Sequence, residues 1–83
     1  MTDTLAIALA QINPTVGDLA GNAARIRSAR AQAARDGADL VVFSELALCG
    51  YPPEDLVLRP SFQESVAAAV EALARETADR GPG

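Results

Sequence analysis

The sequence predicts an α/β fold in which two parallel strands are joined by a helix. Two apolar runs of strand length, residues 5–12 and 40–43, flank a segment whose apolar residues recur at helical spacing. The connections between them are short, which is typical of a β-α-β unit with a right-handed crossover. A second helical segment follows, and 83 residues leave room for one domain at most.

The first strand is expected over the run LAIALAQI at residues 5–12. A continuous apolar run is typical of a strand covered on both faces, although its alanines leave a buried helix as an alternative. The run ends at Asn13, because the following proline disfavours helical geometry there. Residues 15–18 are then expected to form a loop in which Gly17 provides backbone freedom.

The first helix is expected to follow Asp18, a good N-cap residue, although Gly21 weakens the first turn and leaves Asn22 as an alternative start. Gly37 is expected to end this helix in the left-handed conformation. The arginines fall mostly off the apolar face and are interpreted as a solvated surface. The apolar face consists of Leu19, Ala23, Ile26, Ala29 and Ala33, and the arginines are Arg25, Arg27, Arg30 and Arg35.

The second strand is expected at residues 40–43, directly after Asp39, which is interpreted as a cap. A short helical turn is predicted at residues 52–56, where two prolines precede two acidic residues. Arg59 is expected to pair with one of those acidic residues, Glu54 or Asp55, in a structural role.

The last helix is expected to run to about Ala78, with Ser61 and Glu64 forming a capping box at its start. Residues 80–83 are expected to be a frayed end. A parallel pair of strands needs more strands and cover on both faces, so the sequence is expected to be the beginning of a larger domain.

Composition excludes several classes of function. The net charge is −4, with seven arginines, no lysine and no histidine, and no basic patch, which argues against nucleic acid and anionic membranes as partners. The one cysteine excludes an internal disulfide and is typical of a protein in the reducing cytoplasm. The apolar segments are too short to indicate a signal peptide or a membrane span.

Glu45 is the main candidate for chemistry, because it lies two residues beyond the second predicted strand. Sites in open α/β sheets gather at the carboxyl ends of strands. Apolar neighbours would partly desolvate the carboxylate, which raises a carboxyl pKa and suits a general base. The alternative is that Glu45 caps the following turn or is simply solvated.

Cys49 and Tyr51 follow in the same stretch and have weaker functional interpretations. Cys49 has no histidine or lysine to activate its thiol, so a small buried apolar residue is a better interpretation than a nucleophile. Tyr51 lies in the rigid turn Gly-Tyr-Pro-Pro and is interpreted as a wall of the pocket that Glu45 enters, or as part of a packed loop.

Several segments resemble the nitrilase, or carbon–nitrogen hydrolase, superfamily. The run ALAQINPTVGD at residues 8–18, Asn22, the strand ADLVVF at residues 38–43 and the Glu45-Leu46 step are similar to the start of its members. The run GYPPEDL at residues 50–56, followed by LRP and Phe62, is more specific. It resembles the glutaminase domains of NAD⁺-forming ligases within this superfamily.

This resemblance implies a nitrilase-type αββα sandwich, of which residues 1–83 form the first β-α-β-α portion and a partial glutaminase domain. It also implies that a Glu-Lys-Cys triad hydrolyses L-glutamine, with Glu45 as general base. The ammonia then passes to a separate synthetase domain that uses ATP and Mg²⁺ to amidate nicotinic acid adenine dinucleotide to NAD⁺. No cofactor is implied for this segment, and the complete enzyme is expected to be a homo-oligomer.

The sequence also departs from the family pattern. It contains no lysine, Cys49 does not match the family nucleophile, and Ser44 replaces a common proline. The chain by itself is therefore expected to be inactive. Two alternatives stay open: a noncatalytic α/β interaction module that associates through its open sheet edge, and a fragment of another amidase of the same superfamily.

Overall fold

A computed structural model of the chain describes residues 3–83, which form a two-stranded parallel sheet with two long helices. The elements follow in the order β1 (Ile7–Ala10), α1 (Leu19–Arg35), β2 (Leu40–Phe43), a 3₁₀ turn (Glu54–Leu58), α2 (Pro60–Glu76) and a second 3₁₀ turn (Thr77–Asp79). This order confirms the predicted mixed α/β class, its parallel strand pair and its β-α-β-α sequence of elements.

The two strands pair in register over their whole length. Ile7 lies opposite Leu40 and Ala10 lies opposite Phe43, so both strands end at the same edge of the sheet. The bounds of β2 agree with the prediction, whereas β1 is shorter than the predicted residues 5–12. The reason is that β2 offers only four residues for pairing, and a strand extends only as far as its hydrogen-bonding partner.

Within residues 3–83 the sheet has one covered and one open face, so these residues cover only one of the two faces that the sequence predicts to be covered. Successive side chains of a strand point to opposite faces. Val41 and Phe43 lie on the face that the helices cover, where a cavity of about 720 Å³ separates them from α1 and α2. The opposite face is apolar but between 36 and 79% exposed, and it consists of Ile7, Leu9, Leu40 and Val42.

The ends of α1 are determined by local interactions that the sequence indicates correctly. The Asp18 side chain accepts a hydrogen bond from the Gly21 backbone N–H at 3.0 Å, which confirms the predicted N-cap. The helix therefore begins at Leu19, and the alternative start at Asn22 is wrong. Gly37 has φ +83°, the left-handed conformation expected after the helix end.

The start of α2 differs from the prediction. The helix begins at Pro60, and no side chain caps it, so the predicted capping box of Ser61 and Glu64 is wrong. A proline at the first helical position has a suitable φ and lacks an N–H that would have no partner there. Arg59 precedes the helix, and within residues 3–83 no ion pair joins it to Glu54 or Asp55.

The C-terminal residues are attached to the fold rather than frayed. The Gly83 backbone N–H donates to the Asp39 carbonyl at 3.1 Å, and the Val41 N–H donates to the Gly83 carbonyl at 2.8 Å. Gly83 therefore continues the parallel hydrogen-bonding pattern on the second edge of β2. Asp39 does not cap a helix, and its carboxylate accepts from the Ala6 N–H at 3.0 Å.

Two of the α1 arginines bind the end of α2 and the 3₁₀ turn after it, which corrects their interpretation as a solvated surface. Arg27 contacts the Glu76 carboxylate at 2.8 Å, and Arg30 contacts the Asp79 carboxylate at 2.7 Å. Arg30 also donates to the Pro82 carbonyl at 2.8 Å and is 19% exposed. These bonds hold α1 against the C-terminal segment.

The two ion pairs predict a loss of stability in acid. Hydrogen bonds from Arg30 and from the Gly81 N–H hold the pKa of Asp79 well below its usual range, and the Arg27 hydrogen bond lowers that of Glu76. A carboxyl group whose pKa is lower in the folded than in the unfolded chain stabilises the fold. The stabilisation is complete above the pKa of the unfolded chain, which is about 4, and it is lost as the pH falls toward the pKa of the folded chain.

We therefore expect urea unfolding midpoints to fall between about pH 5 and pH 2, and to fall less steeply in Asp79→Asn. The matched control is Asp55→Asn, since Asp55 is exposed and forms no ion pair within residues 3–83. Parallel pH profiles for wild type and Asp79→Asn would contradict this role of the Arg30–Asp79 pair.

Candidate active site

The carboxyl ends of β1 and β2 carry two loops that contact each other. The loop after β1, residues 13–18, is called the first loop here, and residues 44–50 after β2 form the Glu45 turn. The Gly17 N–H donates to the Cys49 carbonyl at 2.9 Å and joins the two segments. This edge is where ligands bind in open parallel sheets, as the position of Glu45 in the sequence predicts.

The Glu45 turn is anchored by its second half and exposes its first. Ala47, Leu48 and Cys49 are buried, with exposures of 7 to 9%, and the Gly50 N–H closes the turn by donating to the Leu46 carbonyl at 2.8 Å. Leu46 has φ +57°, a left-handed conformation that is uncommon for a branched side chain. Such backbone strain persists only where the surrounding structure holds it.

Glu45 projects from this turn as an exposed side chain. The expected desolvation by apolar neighbours is therefore wrong in this chain, because those neighbours turn inward while Glu45 turns outward. No hydrogen bond of residues 3–83 uses its carboxylate, so the interpretation as a cap is also wrong. The remaining alternative, a solvated carboxylate, agrees with this exposure, and the role of Glu45 as general base stays a prediction.

Asn22 is the residue of this region whose importance the sequence interpretation missed. It is fully buried, and its amide nitrogen donates to the carbonyls of Thr15 and Leu48, both at 2.8 Å. Its amide oxygen accepts from the Thr15 N–H at 2.8 Å. A signal was present: Asn22 lies three residues after Leu19 and four before Ile26, which places a polar residue on the apolar face of α1.

Gly50 lies where the two segments approach each other closely. It has φ +85°, and a Cβ atom at this position would lie 2.6 Å from the Val16 Cα atom. The backbones therefore meet where a side chain has no room. This contact and the Asn22 hydrogen bonds hold the Glu45 turn against the first loop.

The other two candidates of this stretch are Cys49 and Tyr51, which differ in exposure. Cys49 is 7% exposed, with its sulfur 3.6 Å from the Gly50 carbonyl oxygen, as expected of a buried apolar residue rather than a nucleophile. Tyr51 is 72% exposed. Neither Glu45 nor Tyr51 lines the 720 Å³ cavity under the helices. The role of Tyr51 as a pocket wall stays a prediction.

The described residues offer no cluster of metal ligands. Within residues 3–83, no three His, Cys, Asp or Glu side chains lie close enough together to hold a metal ion. Over the same range, each helix is too short or too polar to cross a membrane.

The arrangement is an exposed carboxylate after a parallel strand, with the buried residues Ala47, Leu48 and Cys49 behind it. A family model described as carbon-nitrogen hydrolase matches residues 6–80. The chain therefore belongs to the carbon–nitrogen hydrolase family, which confirms the resemblance seen in the sequence. This membership favours an enzyme over a noncatalytic interaction module.

The similar curated proteins are glutamine-dependent NAD(+) synthetases. The chain is 54% identical over 70 residues to that of Synechocystis sp., covering 84% of this chain and 12% of the relative. It is 49% identical over 82 residues to that of Rhodobacter capsulatus, covering 99% and 15%. For Thermotoga maritima the identity is 46% over 77 residues, covering 93% and 13%. The chain thus spans only about an eighth of its relatives' length.

Proposed function

We propose that this chain supplies the general base of a glutamine-hydrolysing site in a glutamine-dependent NAD⁺ synthetase. The observation that carries the proposal is the Glu45 carboxylate, exposed and without a hydrogen bond at the end of β2, in a chain related to these synthetases over most of its length. Their similarity also favours this activity over that of another amidase of the family.

In the proposed reaction, Glu45 accepts the proton of a cysteine thiol, and the thiolate attacks the side-chain amide carbon of glutamine. Ammonia leaves with a returned proton, and a thioester remains. Glu45 then takes a proton from water, which hydrolyses the thioester to glutamate and restores the thiol. The nucleophile is not Cys49, which is buried, and the triad lysine is not among these 83 residues.

The open face of the sheet supports the further proposal of an αββα sandwich. An apolar face formed by the four exposed residues of β1 and β2 is suited to packing against a second sheet. The similarity to glutamine-dependent NAD⁺ synthetases supports three further proposals about the complete enzyme. It has a synthetase domain that receives the ammonia and uses ATP and Mg²⁺, it assembles into a homo-oligomer, and it is located in the cytoplasm.

A chimera tests the proposed function. The matching 82-residue segment of the Rhodobacter capsulatus synthetase is replaced by this chain, and NAD⁺ formation is measured with glutamine and, separately, with ammonium chloride. We expect activity with both nitrogen sources. The ammonium reaction is the internal control, because it needs the synthetase reaction but no glutamine hydrolysis.

The result that would contradict the proposal is use of ammonium without use of glutamine, seen in two different recipients. The same replacement in the Synechocystis synthetase, which is 54% identical over the match, guards against an incompatibility peculiar to one recipient. Loss of glutamine use in both chimeras, with ammonium use intact in both, rejects the assignment of this chain to the glutamine site.

A further inference from the structure

We propose that Asn22 is the positioning residue of Glu45, because its buried amide joins the Glu45 turn to the first loop and so determines where the carboxylate projects. This inference rests on the proposed function for its catalytic meaning. Its structural content, a side chain of α1 that couples two loops at the sheet edge, is independent of which substrate Glu45 serves.

The hydrogen-bonding capacity of the Asn22 amide is fully used. The amide nitrogen has two hydrogens, which go to the Thr15 and Leu48 carbonyls, and the oxygen accepts from the Thr15 N–H and from Arg25 Nη1 at 3.0 Å. If the amide were flipped, its hydrogens would face two other donors, the Thr15 N–H and Arg25 Nη1. The orientation is therefore determined, and only a group with two donors and an acceptor satisfies this site.

The position of Asn22 makes its effect specific to the Glu45 turn. Of the side chains in residues 3–83, it alone hydrogen-bonds both the first loop and the turn. Leu48, whose carbonyl it binds, is separated from Glu45 by only two residues, and the bond spans 26 positions of sequence. Because Asn22 belongs to α1, its amide fixes the position of the Glu45 turn relative to a helix rather than relative to another loop.

Aspartate is the sharpest substitution at this position. Asn22→Asp keeps the size of the side chain but removes the two donors that serve the Thr15 and Leu48 carbonyls. The Leu48 carbonyl is then buried without a partner, and the easiest relief is local opening of the turn to water. Asn13→Asp is the matched control, because Asn13 is exposed at the start of the first loop.

Opening of the Glu45 turn can be measured through the buried thiol of Cys49, so no probe has to be introduced into the chain. We expect iodoacetamide to alkylate Cys49 at least about tenfold faster in Asn22→Asp than in wild type, and at the wild-type rate in Asn13→Asp. Asn22→Asp could also speed alkylation by lowering the stability of the whole fold. Ala33→Gly, in the distant half of α1, is the control for this global effect. The Cys49 alkylation rates of Asn22→Asp and Ala33→Gly are compared at urea concentrations that give the two variants the same free energy of unfolding.

A Cys49 alkylation rate no higher in Asn22→Asp than in the stability-matched Ala33→Gly overturns the proposal. A second measurement needs no variant. The Gly17 N–H lies in the coupled region, so in wild type its hydrogen exchange is expected to be as slow as that of central α1 amides. Fast exchange at Gly17 would show that the two segments are not held together, even if Asn22→Asp fails to fold.

The chimera separates positioning from mere stability. With Asn22→Asp, we expect kcat for glutamine to fall roughly ten- to hundredfold, KM to change little, and the ammonium-dependent rate to stay as before. Equal losses with both nitrogen sources would indicate a structural role alone. If the parent chimera does not use glutamine, the proposed function fails, while the Cys49 and Gly17 measurements still decide the coupling.

Discussion

Glutamine-dependent NAD⁺ formation by the chimera is expected to fall by about 10²- to 10⁴-fold when Glu45 is replaced with glutamine, the usual contribution of a general base. The substitution keeps the size of the side chain and removes its ability to take a proton. Because Glu45 is exposed and makes no hydrogen bond within residues 3–83, the change costs the fold little. The loss therefore appears in kcat for glutamine, measured at saturating substrate.

Two controls accompany this measurement. Glu64→Gln makes the same chemical change at an exposed position of α2, and it is expected to leave both activities unchanged. Ammonium-dependent synthesis in Glu45→Gln is also expected to match the parent chimera. If Glu45→Gln retains the glutamine-dependent rate, another group is the base, and the proposed role of Glu45 is wrong.

Alanine at position 50 is expected to destabilise the chain by about 2–5 kcal/mol, from left-handed strain together with steric overlap. Gly50 has φ +85°, and the new Cβ would lie 2.6 Å from the Val16 Cα atom. Two backbones meet here, so no flexible side chain can move aside. The first loop and the Glu45 turn must separate, and the free energy of unfolding in urea falls accordingly.

Gly37 provides the matched control for this steric effect. Its φ of +83° is nearly the same, but a Cβ atom there would have nothing within 4 Å. Gly37→Ala is therefore expected to cost only the conformational strain, about 1–2 kcal/mol. Equal losses of unfolding free energy at the two positions would show that the Gly50–Val16 contact does not constrain the turn.

The residues of the site are expected to differ in how well they tolerate substitution. Glu45 is expected to be chemically important and structurally replaceable, whereas Gly50 and Asn22 are expected to be structurally demanding and to take no part in the chemistry. A buried amide with all its hydrogen bonds made and a glycine in close backbone contact are the kinds of positions where single substitutions have large effects. The exposed carboxylate depends on both for its place at the sheet edge.

The sequence alone determined the features that depend on a few neighbouring residues. The bounds of β2, the Asp18 cap and the left-handed Gly37 are readable because apolar runs, capping side chains and turn residues act over one or two turns of chain. The family was readable too, since residues 8–18, Asn22, residues 38–43 and the Glu45-Leu46 step resemble the start of its members.

Only the tertiary structure decided which residues meet across the chain. Asn22 reaches Leu48 over 26 positions, Arg30 reaches Asp79 over 49, and Gly83 returns to β2. The local spacing of apolar residues does not predict such contacts, because each contact depends on how the helices pack against the sheet. The same reason explains Glu45: its apolar neighbours predicted burial, but the turn directs them inward and leaves the carboxylate exposed.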